Sequence, residues 1–202
     1  MRHKCKEILQ ALGRESQADG DSPPKRREVL IHWDPPPAGW MVLNTDGASK
    51  GNSGVAGDGG VLRGDKGEWI CEFGESMGIC TSMKAEFKAV LRGLRIGKSL
   101  GVTKLWVQVD SSTLARLLKG DFQCSVAHML LLHQCQELIN QVGWQVTISH
   151  CFREANKVAD ALANIGCNLQ SGVAMYERPP NEVKELLFAD CIGVGWPRRM
   201  IK

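Results

Sequence analysis

Two runs of alternating side chains, far apart in the chain, each end on an aspartate. In the first, Met41, Leu43 and Thr45 alternate with Val42, Asn44 and Asp46; in the second, Leu105, Val107 and Val109 alternate with Trp106, Gln108 and Asp110. A period of two marks a β-strand with one face turned to a core. Between the runs, "GVAGDGGVLRG" and "GEWICEFGE" read as two further strands, and their short glycine-bearing connections imply antiparallel hairpins. A helix capped by Thr81 or Ser82 follows, with Met83, Phe87, Val90, Leu91 and Leu94 as its apolar stripe before Gly97 and Gly101 loosen its end. Beyond Asp110 come a capped helix in "SSTLARLLKG", a longer one from about Ser125 to Gln141, a strand in "WQVTISH" and a last helix from about Asn156 to Ile165. The order β-β-β-α-β-α-α-β-α predicts an α/β fold: a mixed five-stranded sheet, three antiparallel strands then β-α units, flanked by helices. Ligands of such sheets gather at the carboxyl ends of parallel strands, where both aspartates fall.

A chain of 202 residues with 43% hydrophobic content is enough for one ordinary domain. Residues 1–38 mix charge, Gly, Ser and Pro and read as a poorly ordered leader whose last part packs along the domain edge; 39–167 form the folded domain, and 168–202 a C-terminal extension holding one short helix. The net charge of +3 is compatible with nucleic acid but does not argue for it. The eight cysteines lie scattered in apolar runs without a CxxC pair, which predicts reduced thiols in an intracellular protein. His128 and His133, five apart, do not share a helix face as a zinc pair would. No signal peptide and no run long enough to span a bilayer is present, so the reading is not secreted and no membrane. The Lys25–Arg27 cluster in "PPKRREV" reads either as a weak nuclear-import patch or as a solvated linker, leaving nucleus and cytoplasm both open. The glycines of "GVAGDGGVL" do not form GxGxxG and no helix signal follows, so no dinucleotide cofactor is expected. A monomer is the default.

Two parallel strands would bring Asp46 and Asp110 side by side. Glu86 lies at the margin of its helix's buried stripe, and Asp160 stands near the start of the last helix beside Val158, Ala159 and Leu162, where a charge is normally avoided. Four converging carboxylates would repel one another and raise their own pKa values unless a cation neutralised them. Hard oxygen donors suit Mg²⁺, and a pair of such ions is able to activate water and stabilise a leaving oxygen. The four are therefore expected within one coordination shell. Each taken alone also reads as an ordinary strand-end, cap or surface residue.

Taken together, "NTDGASKGNSGVAG", "KAEFKAVLRGL", "VQVDSSTLARLL" and "HCFREANKVADALA" resemble, in order and spacing, the ribonuclease H family, and within it the plant-type reverse transcriptase-like domain related to retrotransposons. The resemblance covers roughly Trp40 to Ile165. It implies a metal-dependent endonuclease that hydrolyses the RNA strand of an RNA–DNA hybrid, with Asp46, Glu86, Asp110 and Asp160 as metal ligands for two Mg²⁺ ions, for which Mn²⁺ substitutes. His150 falls on the family's loop histidine, which assists deprotonation of water or departure of product; alone, it reads as a structural strand-end residue.

The resemblance also implies a nucleic-acid surface made of Gly47, Ala48, Ser49, Asn52, Ser111, Ser112 and Asn156. On this reading the glycines after Asp46 let backbone approach a strand closely, and Asn52 with the Gly47–Ser49 backbone senses ribose 2′-hydroxyls. Asn52 reads equally as a turn residue, and Ser111 and Ser112 as helix caps. Two departures stand out: no Lys/Arg-rich, Trp-bearing handle occurs between Ser125 and Gln141, and there is no room for a reverse transcriptase domain. A catalytically silent nucleic-acid-binding module and a related nuclease acting on DNA are the competing readings.

Overall fold

The computed structural model describes residues 26–122 and 124–201. In chain order its elements are β1 (Arg26–Ile31), β2 (Met41–Ser49), β3 (Gly54–Arg63), β4 (Trp69–Cys80), α1 (Ser82–Ser99), β5 (Lys104–Val109), α2 (Ser112–Lys119), α3 (Val126–Ile139), β6 (Gln145–His150), α4 (Lys157–Asn168), β7 (Gly172–Tyr176), α5 (Asn181–Cys191) and β8 (Trp196–Ile201). One sheet has the strand order β6-β5-β2-β3-β4-β7, and β1 pairs with β8 separately. Contacts divide the chain into a unit spanning Leu30–Arg198 and a small one to which Val29 and Arg199 belong.

Local chemistry sets the boundaries. Thr81 caps α1 by accepting from the Lys84 amide at 3.3 Å, and Ser111 caps α2 by accepting from the Leu114 amide at 3.2 Å. Gly120 ends α2 in a left-handed conformation that a side chain would oppose. The β2–β3–β4 meander is antiparallel, whereas β2–β5 and β5–β6 are parallel.

Helices cover both faces. On one, α1, α2 and α3 enclose Leu43, Phe87, Leu94, Leu105, Val107 and Leu114, each contributing about 1.5–3 kcal/mol through burial. On the other, α4 and α5 enclose Val61, Val158, Leu162, Val183 and Leu187. Among the described residues no helix is long and apolar enough to cross a membrane.

The five expected strands are present, and β7 adds a sixth, antiparallel to β4 from Glu72↔Tyr176 to Ser76↔Gly172. In the last part of the leader, expected to pack along the domain edge, Trp33 is only 3% exposed and packs with Val42 and Ala155. The extension holds β7, α5 and β8 rather than one helix. Lys25 of the basic cluster lies outside the described residues, as does the rest of the leader before it.

The glycines following Asp46 serve the fold. A Cβ on Gly47 would lie 2.1 Å from the Glu86 backbone nitrogen, and one on Gly59 would lie 2.4 Å from that of Ala163. Bare backbone at these positions lets α1 and α4 press onto the strands. This packing role stands beside the expectation that the glycines let a nucleic-acid strand approach closely.

Candidate active site

Parallel pairing of β2 with β5 sets Thr45 opposite Val109, so Asp46 and Asp110 follow side by side; Asp110 stands just past the end of β5, whereas β2 does not end at Asp46 as expected but runs on to Ser49 in its pairing with β3. Glu86 comes from α1, whose approach is set by Gly47, and Asp160 from the first turn of α4. All four carboxylates line one pocket, together with Gly47, Ala48, Ser49, Lys50, Ser82, Arg153 and Asn164.

Its electrostatics are those of crowded acids. Burial, then Asp110, then Asp160 push the Asp46 carboxyl up to about 7. Burial, followed by Asp46 and Asp110, lifts Glu86 to about 8, and burial likewise raises Asp110. Glu86 Oε2 is buried without a hydrogen-bond partner. Uncompensated carboxylates of this kind take up either protons or a cation, and their hard oxygens fit a divalent ion.

The expected coordination shell is not preformed. Among the described residues no three carboxylate, histidine or cysteine side chains are gathered closely enough to hold an ion as they stand. Asp160 is engaged by Arg153, whose Nη2 donates to its Oδ1 at 2.5 Å. Arg153, Lys50, Ser82 and Asn164 line the pocket without having been expected there; Arg153, seven positions before Asp160, opens a short 3-10 turn (Arg153–Ala155) whose path only the fold reveals.

The other expected residues separate into groups. His150 pairs with Val109, yet it does not line the pocket and stacks edge-on against Phe152. Asn52 is exposed, and its Oδ1 accepts from the Ser82 amide at 2.9 Å, tying the β2–β3 turn to the start of α1. The Ser49 hydroxyl donates to the Cys80 carbonyl at 2.7 Å. Ser111 acts as the cap described above, while exposed Ser112 lines a separate groove with Arg116, Phe122 and His128. Asn156 is corrected: at 1% exposure, with Nδ2 donating to the Thr45 carbonyl at 3.0 Å, its amide is consumed inside the fold and does not face nucleic acid.

Comparison with known proteins accords with this geometry. The reverse transcriptase-like family model matches residues 44–166, the stretch that holds all four acids and His150. A "Putative ribonuclease H protein" of Arabidopsis thaliana is 37% identical over 175 residues, covering 87% of this chain but 28% of the relative, so the chain spans under a third of that protein. The crystal structure of RNase H1 from the archaeon Halobacterium salinarum superposes with a TM-score of 0.60 at 29% identity, covering 64% of this chain and 98% of that one. LC11-RNase H1, in complex with RNA/DNA hybrid, also gives 0.60, at 25% identity and 63% and 96% coverage. The mixed sheet flanked by helices is thus a ribonuclease H fold. Matched by the family model through every strand and helix that brings the acids together, the chain belongs to the reverse transcriptase-like family of ribonuclease H domains.

Proposed function

We propose that the chain is a metal-dependent endonuclease that hydrolyses the RNA strand of RNA–DNA hybrids. The observation that carries this reading is the single pocket lined by Asp46, Glu86, Asp110 and Asp160, with the Asp46 carboxyl raised to about 7 and Glu86 to about 8. The LC11 relative, bound to RNA/DNA hybrid, supports the choice of substrate.

Divalent ions generally serve ribonucleases H; Asp46, Glu86, Asp110 and Asp160 would hold Mg²⁺ here, two ions in our reading with Mn²⁺ as a substitute, supplying water activation and charge neutralisation at the leaving oxygen. The protein's own contribution is positional. β2 presents Asp46 and the end of β5 presents Asp110 beside it, and α1 carries Glu86 to them across Gly47. Arg153, 71% exposed on its side chain, pairs with Asp160 in the pocket and offers a guanidinium to a backbone phosphate of the substrate. Exposed Lys50 lines the same pocket, and exposed Asn52 is hydrogen-bonded to its lining residue Ser82; we assign sensing of the 2′-hydroxyl to Asn52 and the Gly47–Ser49 backbone.

The test uses end-labelled hybrid, double-stranded RNA and duplex DNA, each with Mg²⁺ and with chelator. Cutting confined to the hybrid's RNA strand and abolished by chelator supports the reading. Comparable cutting of duplex DNA overturns it, and tight hybrid binding without cutting makes the chain a silent binding module.

A further inference from the structure

Behind the acidic pocket runs a chain of buried polar side chains that ends in the C-terminal helix. Asn156, at the start of α4, donates to the Thr45 carbonyl and accepts from Asn44 Nδ2 at 3.2 Å; the same Asn44 nitrogen donates to Gln108 Oε1 at 3.0 Å. Asn44 stands two residues before Asp46, Gln108 two before Asp110 and Asn156 four before Asp160. One amide cluster thus clamps the three elements that carry these acids, one layer beneath the pocket.

The orientation of Asn44 is decided from the other side. Its Oδ1 accepts from Arg63 Nη2 at 2.8 Å and from Trp33 Nε1 at 3.1 Å, which commits its NH₂ to Gln108 and Asn156. Arg63 is 1% exposed and lies 3.6 Å over the Trp33 ring. A guanidinium so buried needs a hydrogen-bonded counter-charge. Asp190 of α5 supplies it, accepting from Arg63 Nη1 at 2.7 Å, whereas the nearby buried Glu72 forms no hydrogen bond.

We propose that Asp190 is a positioning residue of the acidic site, acting through Arg63 and Asn44 to hold the start of α4, and so Asp160, in register with Asp46 on β2 and Asp110 at the end of β5. It lies beyond residues 44–166, so the matched stretch does not contain every side chain the site depends on. The catalytic consequence rests on the function proposed above; the structural consequence does not.

The experiment compares the full-length wild type, Asp190→Asn, the apolar pair Arg63→Met/Asp190→Leu and, as control, Glu185→Gln on the exposed face of α5. The apolar pair regains fold stability without the hydrogen bonds, because a buried ion pair is replaceable by well-packed apolar groups. Two readings are taken: kcat and KM on hybrid, and hydrogen exchange at the Asp160 amide, which donates to the Asn156 carbonyl at 3.0 Å. The proposal expects Asp190→Asn and the pair to lose about tenfold in kcat, a change of about 1.4 kcal/mol, at little-changed KM. It also expects faster Asp160 exchange while α1 amides keep their protection, with the control unchanged in both. A pair that melts like the wild type and matches it in kcat and in Asp160 exchange overturns the proposal. If the wild type itself does not cut hybrid, the functional reading fails, and Asp160 exchange in the pair alone decides whether Asp190 positions α4.

Discussion

Replacing Gly47 with alanine should force α1 away from the sheet. The added Cβ would stand 2.1 Å from the Glu86 nitrogen, 2.4 Å from the Ala85 carbonyl carbon and 2.7 Å from the Glu86 Cα. All three are backbone atoms, so no side chain is able to rotate aside. Ordinary contact begins near 3.4 Å, which requires a local retreat of about 1.3 Å. That retreat loosens Phe87, Val90, Leu91 and Leu94, all buried against the strands. Overpacking of this kind costs about 3 kcal/mol, at or beyond the upper end of the usual range. For a chain of this size it corresponds to a fall of about 6–12 °C in Tm. Glu86 moves with its helix, and a misplacement of about 1 Å at a catalytic group is worth about 100-fold in rate. Thermal melting by circular dichroism and hybrid cleavage at a temperature where the variant is folded measure the two effects. A variant that melts within about 2 °C of wild type but binds hybrid weakly would refute the packing argument and restore a direct nucleic-acid role for Gly47.

Mg²⁺ should raise the wild-type Tm by binding the native state, and Asp110→Asn should lose most of that shift; an equal shift in the variant places the ion elsewhere. Burial lifts the Glu72 carboxyl to about 7, so its protonated form contributes stability that is full at low pH and lost as pH rises through about 7. Glu72→Gln should therefore lessen the wild type's loss of stability between about pH 5 and 8 by on the order of 2 kcal/mol in urea melts, and parallel curves would contradict it. Burial drives the thiols of Cys135 and Cys151 up to about 12, whereas Cys191 is exposed. Alkylation at pH 8 followed by peptide mapping should mark Cys191 in the native protein and the other two only after unfolding.

The strands bearing the acids were legible from their alternation; β5 ends where it does, whereas β2 runs three residues past Asp46 to Ser49, held there by its pairing with β3. Knowing that β2 and β5 are parallel neighbours was then enough to join Asp46 to Asp110. The position of Glu86 followed from helix periodicity, though not the reason it reaches the pocket, since a glycine's need for close approach is invisible until its neighbour is known. β7 escaped notice because five residues, "GVAMY", carry too short an alternation to stand out from a tail. Arg63, Asp190 and Trp33 were unreadable for a different reason: each looks like a surface or linker residue alone, and only their mutual burial gives them a role. Asn156 was read as facing a ligand, whereas its amide turns inward to Thr45 and Asn44.

The most direct test of the account is strand-resolved cleavage of an RNA–DNA hybrid by the wild type beside Asp46→Asn, both verified as folded. The account predicts that with Mg²⁺ the wild type cuts the RNA strand alone. Replacing that strand by DNA should abolish cutting, and restoring a few consecutive ribonucleotides should recover it. Asp46→Asn should cut none of these substrates. Undiminished cleavage by Asp46→Asn, or equal cleavage of the all-DNA duplex by the wild type, would contradict it.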